Sequence, residues 1–322
     1  MNEYSVGKIK PTGIVTIDVE PDNVWADTHS KTLNNIHRLP IFHNLCKEYG
    51  VRPTYLISWS VAVDNESASI LDALLQQGDC EIGIHPHFWE TPPFIAKDSS
   101  SHAWVGSDYT NEILEAKLTS LVNLIKSRFG VPLSHRAGRW GIDNRQVDIL
   151  TNLGIKFDSS IIPGVDWSST GILSHAKAPL YPYLMGSHDI CMPGSGILLQ
   201  VPCTIKSGLR LLGLEKKRYA DAIIRRLGFG NKWLRVSPGV LPADFLKTCA
   251  WASERFPQLN LMSHSSEFMA GGSPYWPTEV DVAIHLDAYR HIFAWWQRHG
   301  IIPKTLAEFG LNYLAAHSLT RC

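Results

Sequence analysis

The chain has 322 residues, 44% of them hydrophobic and 19% charged, which is enough apolar material for a sizeable core and too much for a disordered segment. Thirty Lys and Arg balance thirty Asp and Glu, so no global charge draws the protein to nucleic acid. At about 150 residues per domain the length suits roughly two domains or one large α/β unit. No linker of Gly/Ser or Pro composition divides the chain. The expectation is a single domain over 1–322, with a long Pro-, Gly- and Ser-rich excursion near 160–200.

Short apolar runs alternate with helix-period segments in chain order. Residues 13–19 read as a buried strand, and 40–49 as an amphipathic helix stopped by Gly50. A strand over 53–59, a helix over 67–77 and a strand over 80–84 follow. The long helix 110–129 carries its apolar stripe at 114, 118, 121, 122 and 125. Further strands are expected at 131–135, 155–158, 197–203 and 259–263, with helices at 143–153, 215–227, 242–255 and 278–299. Repeated β-α-β units need crossovers, so neighbouring strands should be parallel and covered by helices. The pattern predicts an α/β fold, a distorted (β/α)7-type barrel with outer helices and its active site at the strand C-terminal ends.

The first twenty residues hold Glu3, Lys8 and Lys10 around one short apolar run, unlike a secretion signal. No stretch approaches the roughly 18 apolar residues of a membrane span. Six scattered cysteines (46, 80, 191, 203, 249, 322) show no Cys-x-x-Cys pair, and a reducing, cytoplasmic setting is the expectation.

The reactive residues cluster by position. Asp18 and Glu20 close the first strand, His85 and His87 the third, Arg136 the fourth, Asp158 the fifth, and His264 follows the strand 259–263. In parallel β/α folds those ends converge on one face. Taken singly, each has a plainer explanation: Asp-x-Glu can cap a loop, Arg136 can be a structural ion-pair partner, and a lone histidine such as His264 is more often a core residue. Together they read as a metal centre. His-x-His puts two imidazoles on one face of an extended chain, and a carboxylate completes a three-ligand set that leaves room for water and substrate. A second carboxylate suits a general base and a histidine across the site a general acid, the equipment of an amide or ester hydrolase. His285, His291 and His299 read as surface or packing residues.

With these motifs in order, the sequence resembles the polysaccharide deacetylases of the NodB-homology type, carbohydrate esterase family 4, from Thr16 to about Glu308. Thr16-Ile-Asp-Val-Glu20 resembles the first family motif, which implies Asp18 as base and Glu20 as metal ligand. Glu81-Ile-Gly-Ile-His85 is similar to the second, implying His85 as a ligand, and His135-Arg-Ala-Gly-Arg-Trp140 to the third, implying that Arg136 orients the base. Phe157-Asp-Ser-Ser160 is similar to the fourth, and Leu261-Met-Ser-His-Ser265 to the fifth, implying His264 as the acid. Two positions depart from the pattern. Val19 separates the two acids, and Trp89 stands where the family has its second metal histidine, so His87 takes that role.

The resemblance implies Zn2+, or another divalent metal such as Co2+ or Ni2+, and hydrolysis of the N-acetyl group of an amino sugar. It points to a polysaccharide or to an O-antigen or lipopolysaccharide precursor that is nucleotide- or lipid-linked. Trp25, Trp89, Trp140, Trp167, Tyr275 and Trp276 offer faces for sugar rings near the expected mouth, and Arg139 and Asp158 join Trp25, Trp89, Trp140 and Trp276 as expected substrate contacts. The stretch Lys206–Arg235 holds nine cations against Glu215 and Asp221, which reads as a solvated face or as a patch for a pyrophosphate or an anionic membrane surface. A metal-dependent phosphoesterase or amidohydrolase is a rival reading, although its His-x-His normally opens the first strand. A non-haem iron oxygenase would share the ligand triad but not the helix-rich pattern. A sugar-binding pseudoenzyme is a third alternative.

Overall fold

The computed structural model describes residues 10–24, 31–99, 105–206 and 231–318. Its centre is β1 (Thr12–Val19), whose Gly-Ile-Val-Thr-Ile-Asp-Val run is buried on both faces, as a strand inside a parallel sheet must be. On one side β1 pairs with β10 (Gln258–His264), and on the other with β2 (Thr54–Ile57). The sheet continues in parallel through β3 (Glu81–Ile84), β4 (Ser134–His135), β5 (Phe157–Asp158) and β7 (Leu199–Gln200), and β6 (Tyr183–Leu184) runs antiparallel at the edge. A short β11 (Ile302–Pro303) also pairs with β1, and β8 (Ile205–Lys206) pairs antiparallel with β9 (Lys232–Trp233) in a separate two-stranded sheet.

The sheet curls until its two ends meet. Thr204 just beyond β7 donates its N–H to the Asn260 carbonyl at 3.0 Å, and the Asn260 N–H returns to Thr204 Oγ1 at 2.8 Å. The Asn260 amide also donates to the Val201 carbonyl at 3.1 Å. One backbone bond and two bonds that use side chains, rather than a full strand ladder, close the gap, which is what distorts the barrel.

Helices α1 (Leu39–Glu48), α2 (Trp59–Val63), α3 (Asn65–Leu75), α4 (Asn111–Phe129), α5 (Asn144–Asn152), α6 (Pro242–Ser253), α7 (Glu279–Arg298) and α8 (Leu306–Ser318) surround it. Their starts are chemically marked: Asp64 accepts from the Ser67 N–H, Asp143 from the Gln146 N–H, and Thr278 and Asp281 form a reciprocal capping box. Gly13 lets α7 come close, since a Cβ there would sit 2.5 Å from the Trp296 ring. Helices α2 and α8 and the short strands β6, β8, β9 and β11 are additions to the expected elements, and the expected helix 215–227 lies outside the described residues. No helix among the described residues is long and apolar enough to cross a membrane.

The candidate metal centre and its cleft

The ends of β1, β3 and β10, with the residues just after β4, meet at one cleft of about 670 Å3. Strand alternation sends Asp18 and Glu20 to the same side while Val19 enters the core, and does the same for His85 and His87. All four are nearly closed off from solvent, with Asp18 and His85 2% exposed, Glu20 3% and His87 5%.

Glu20 Oε2 lies 2.6 Å from His87 Nε2 and 3.4 Å from His85 Nε2. One ligand atom from each of the three residues falls within 4.8 Å of the others, a grouping that could hold a metal ion. Burial by itself would raise the Glu20 carboxyl, but hydrogen bonds and charge from the two imidazoles hold it well below the usual carboxylate range. For His85, burial works downwards and the Asp18 and Glu20 carboxylates more than offset it, so its pKa is raised. His85 Nδ1 faces the Arg136 carbonyl at 2.9 Å, which fixes the proton there and turns Nε2 to the centre. His87 Nδ1 is buried with no hydrogen-bond partner. It packs on Gly138, where a Cβ would sit 2.5 Å from that nitrogen, so the glycine makes room for the ring. One carboxylate and two imidazoles converging from three backbone positions fit a divalent metal such as Zn2+, Co2+ or Ni2+.

Behind this set lies Arg136, fully buried. Its Nη1 donates to Asp18 Oδ1 at 2.6 Å, Nη2 to Thr16 Oγ1 at 2.6 Å and Ser159 Oγ at 3.0 Å, and Nε to the Ser159 carbonyl at 2.9 Å. Asp18 Oδ2 lies 3.9 Å from His85 Nε2 and 3.8 Å from His264 Nε2. Asp18 and His264 are direct register partners on β1 and β10, so pairing of the two strands sets their separation.

His264 has its own support. Nδ1 meets Glu267 Oε1 at 2.9 Å, and Glu267 also accepts from Ser263 Oγ at 2.9 Å and Arg235 Nη2 at 2.5 Å. Burial pushes the Glu267 carboxyl up, but Arg235 and His264 hold it far below the carboxylate range. An ionised Glu267 keeps the proton of His264 on Nδ1 and turns Nε2 towards Asp18 and Glu20. Glu267, Arg235 and Trp233 are not among the site residues expected from sequence. The signal for Glu267 was present in Ser263-His-Ser-Ser-Glu267, an acid one helical turn past the histidine. In the sequence Arg235 stands only as one cation of the run Lys206–Arg235.

The rim is aromatic. Trp89, Arg139, Trp140, Trp167, Trp233 and Tyr275 line the cleft. Arg139 and Trp140 both take left-handed backbone, at φ 52° and 61°, a strained conformation for such side chains that is typical of functional sites. The Arg139 guanidinium lies over the Trp89 ring at 5.8 Å, and Trp140 covers Arg136 at 5.3 Å. Two expected substrate contacts are corrected. Trp276 is 4% exposed and packs on His285 with ring centroids 4.4 Å apart, in the core rather than the cleft. Asp158 is fully buried and accepts from His135 Nδ1 and Ser160 Oγ, each at 2.6 Å, so it braces the layer behind Arg136. Trp25 lies outside the described residues.

By sequence, the chain matches no family model and no curated protein. By structure it is similar to a protein from Mycobacterium smegmatis described as a polysaccharide deacetylase, with a TM-score of 0.56 and 14% identity over 96% of this chain and 92% of that one. The chain shares its fold with that protein. A second structure, from Parabacteroides distasonis, is described as a glycoside hydrolase/deacetylase; its TM-score is 0.63 and identity 13%, over 95% of this chain and 72% of that one. The curled, mostly parallel sheet with outer helices is thus the architecture expected from the sequence.

Proposed function

We propose that the protein is a metal-dependent deacetylase that hydrolyses the N-acetyl group of an amino sugar. One observation carries this reading: the Glu20, His85 and His87 donor set lies between an arginine-held aspartate and a glutamate-held histidine at the same strand ends. A divalent metal held by these three residues would supply Lewis acidity to polarise a carbonyl and acidify water. Asp18 acts as general base. Its Oδ1 is committed to Arg136, so Oδ2 takes the proton of the attacking water. His264 Nε2, across the cleft, protonates the leaving amine, and the Glu267 carboxylate stabilises the imidazolium this requires. Trp89, Trp140 and the neighbouring aromatics give apolar faces to the sugar, and Arg139 gives a cation beside them.

The free thiols of Cys46, Cys80, Cys191, Cys203 and Cys249 agree with a reducing compartment. The finer expectation of a nucleotide- or lipid-linked sugar, or of contact with an anionic membrane, rests on Lys206–Arg235. Most of that run, including Lys216, Lys217 and Arg218, lies outside the described residues.

The test is acetate release from free, oligomeric and nucleotide-linked N-acetyl sugars by protein loaded with Zn2+, Co2+ or Ni2+. The expected result is release that needs the metal and falls by about 10²–10⁴ in Asp18→Asn while metal stays bound, since an amide cannot take the proton. Metal-loaded protein that releases no acetate from any of these sugars contradicts the reading, and so does an Asp18→Asn variant as active as wild type.

A further inference from the structure

His87 differs from the other members of the centre in how it is held. Glu20 and His85 follow strand ends directly, whereas His87 opens a loop that continues through Trp89 and Pro93 to Asp98 before α4 begins. A ligand on a loop keeps its geometry only if the loop is anchored. The anchor is on α4. Lys117 is fully buried, and its Nζ donates to the carbonyls of Phe88 at 2.9 Å, Thr91 at 2.7 Å and Pro93 at 2.9 Å, and to Asp98 Oδ2 at 2.9 Å.

That is four acceptors for the three protons of one ammonium, so the cage uses its full donor capacity. The ring of Tyr109 lies 5.1 Å from the ammonium, and the Tyr109 hydroxyl donates to Asp98 Oδ1 at 2.6 Å. Asp98 also accepts from the Ile95 N–H, which ties the far end of the loop to the same point. At the near end, Thr91 Oγ1 donates to the His87 carbonyl at 2.8 Å. The contacts therefore run without a break from Lys117 through Thr91 to the backbone of His87, and from Lys117 through the Phe88 carbonyl to the residue before Trp89.

We propose that Lys117 is a positioning residue whose buried ammonium clamps the 88–98 loop and thereby sets the orientation of the His87 imidazole and the Trp89 wall. Without the ammonium, the Thr91 and Pro93 carbonyls lose their donor, the Phe88 carbonyl keeps only the Thr91 N–H and Asp98 only Tyr109 and the Ile95 N–H, and the loop opens to hydrate the groups set free. The proposal rests on the metal-centre reading for its functional consequence and on the contacts alone for the clamp.

Three variants of the full chain test it. Lys117→Met keeps the volume and removes the charge, Lys117→Ala leaves a cavity, and Lys126→Met changes an exposed lysine on the same helix. In Lys117→Met, amides of residues 88–98 should exchange faster than in wild type while the strands stay protected, and affinity for Co2+ should fall about 10- to 100-fold, the usual cost of losing a residue that orients a ligand. Added ethylammonium should restore both properties in Lys117→Ala but not in Lys117→Met, where the side chain fills the cavity. Lys126→Met should match wild type. Should both Lys117 variants fail to fold, Asp98→Asn, which weakens the cage without emptying it, must shift exchange and affinity in the same direction. Wild-type exchange rates and Co2+ affinity in Lys117→Met overturn the proposal. If wild-type protein itself binds no Co2+, the metal reading fails, and exchange in the 88–98 loop still decides the clamp.

Discussion

The floor and the rim of the cleft are built on different principles. Asp18, Glu20, His85 and His264 sit at or just past strand ends, and each has a partner that fixes it: Arg136 for Asp18, the imidazoles for Glu20, the Arg136 carbonyl for His85 and Glu267 for His264. Trp89, Arg139, Trp140 and Trp167 instead ride on turns, stand partly open to solvent, and in two cases hold a backbone conformation that costs free energy. The floor is where charge must be placed within fractions of an ångström, and hydrogen bonds between strand-borne groups do that. The rim meets large, flat surfaces, for which stacking faces on turns are enough.

If that contrast is right, the largest effect belongs to Arg136. Changing it to Met leaves Asp18 buried without its counter-charge and should cost about 3–5 kcal/mol, read from the urea midpoint at unchanged m-value. A loss under about 1 kcal/mol would make the ion pair incidental. Next comes His264→Ala. Amide hydrolysis should fall by about 10²–10⁴, and hydrolysis of an activated ester much less, because its leaving group needs no proton. Equal losses on both substrates would make His264 a binding residue.

A smaller effect concerns acid stability. Glu267 has a depressed pKa when folded, so its contribution is present above the unfolded carboxyl value of about 4.3 and is lost as the pH falls below it. Denaturation followed from pH 6 to pH 3 should show a shallower acid limb in Glu267→Gln than in wild type, and superimposable limbs would contradict this. The smallest effect is on the rim. Arg139→Gly relieves a left-handed residue, so stability should stay equal or rise by no more than about 1 kcal/mol while sugar binding weakens. A clear fall in stability would place Arg139 with the floor.

The same contrast explains what the sequence made legible. Gly13-Ile-Val-Thr-Ile-Asp-Val19 reads directly as a buried strand because its apolar run is continuous, and the strand carries Asp18 to its C-terminal end. His85 and His87 are legible because period-two spacing makes them share a face. Rim geometry has no such periodicity. Nothing in Gly138-Arg-Trp-Gly141 announces two consecutive left-handed residues, and aromatic content alone drew Trp276 into the expected mouth although its ring fills core space against His285. Lys117 shows an intermediate case. It falls within the stripe of Leu114, Leu118 and Leu121 on α4, a lysine where the period calls for an apolar residue, but its acceptors come from the 88–98 loop and so from tertiary structure.

The central claim, that Glu20, His85 and His87 form one metal centre on a preset floor, is tested most directly by equilibrium dialysis against Zn2+ with wild type, His85→Ala and His87→Ala in parallel. The account predicts about one ion per wild-type chain and loss of most of it in each variant, with far-UV circular dichroism unchanged. Full occupancy in either variant would contradict it.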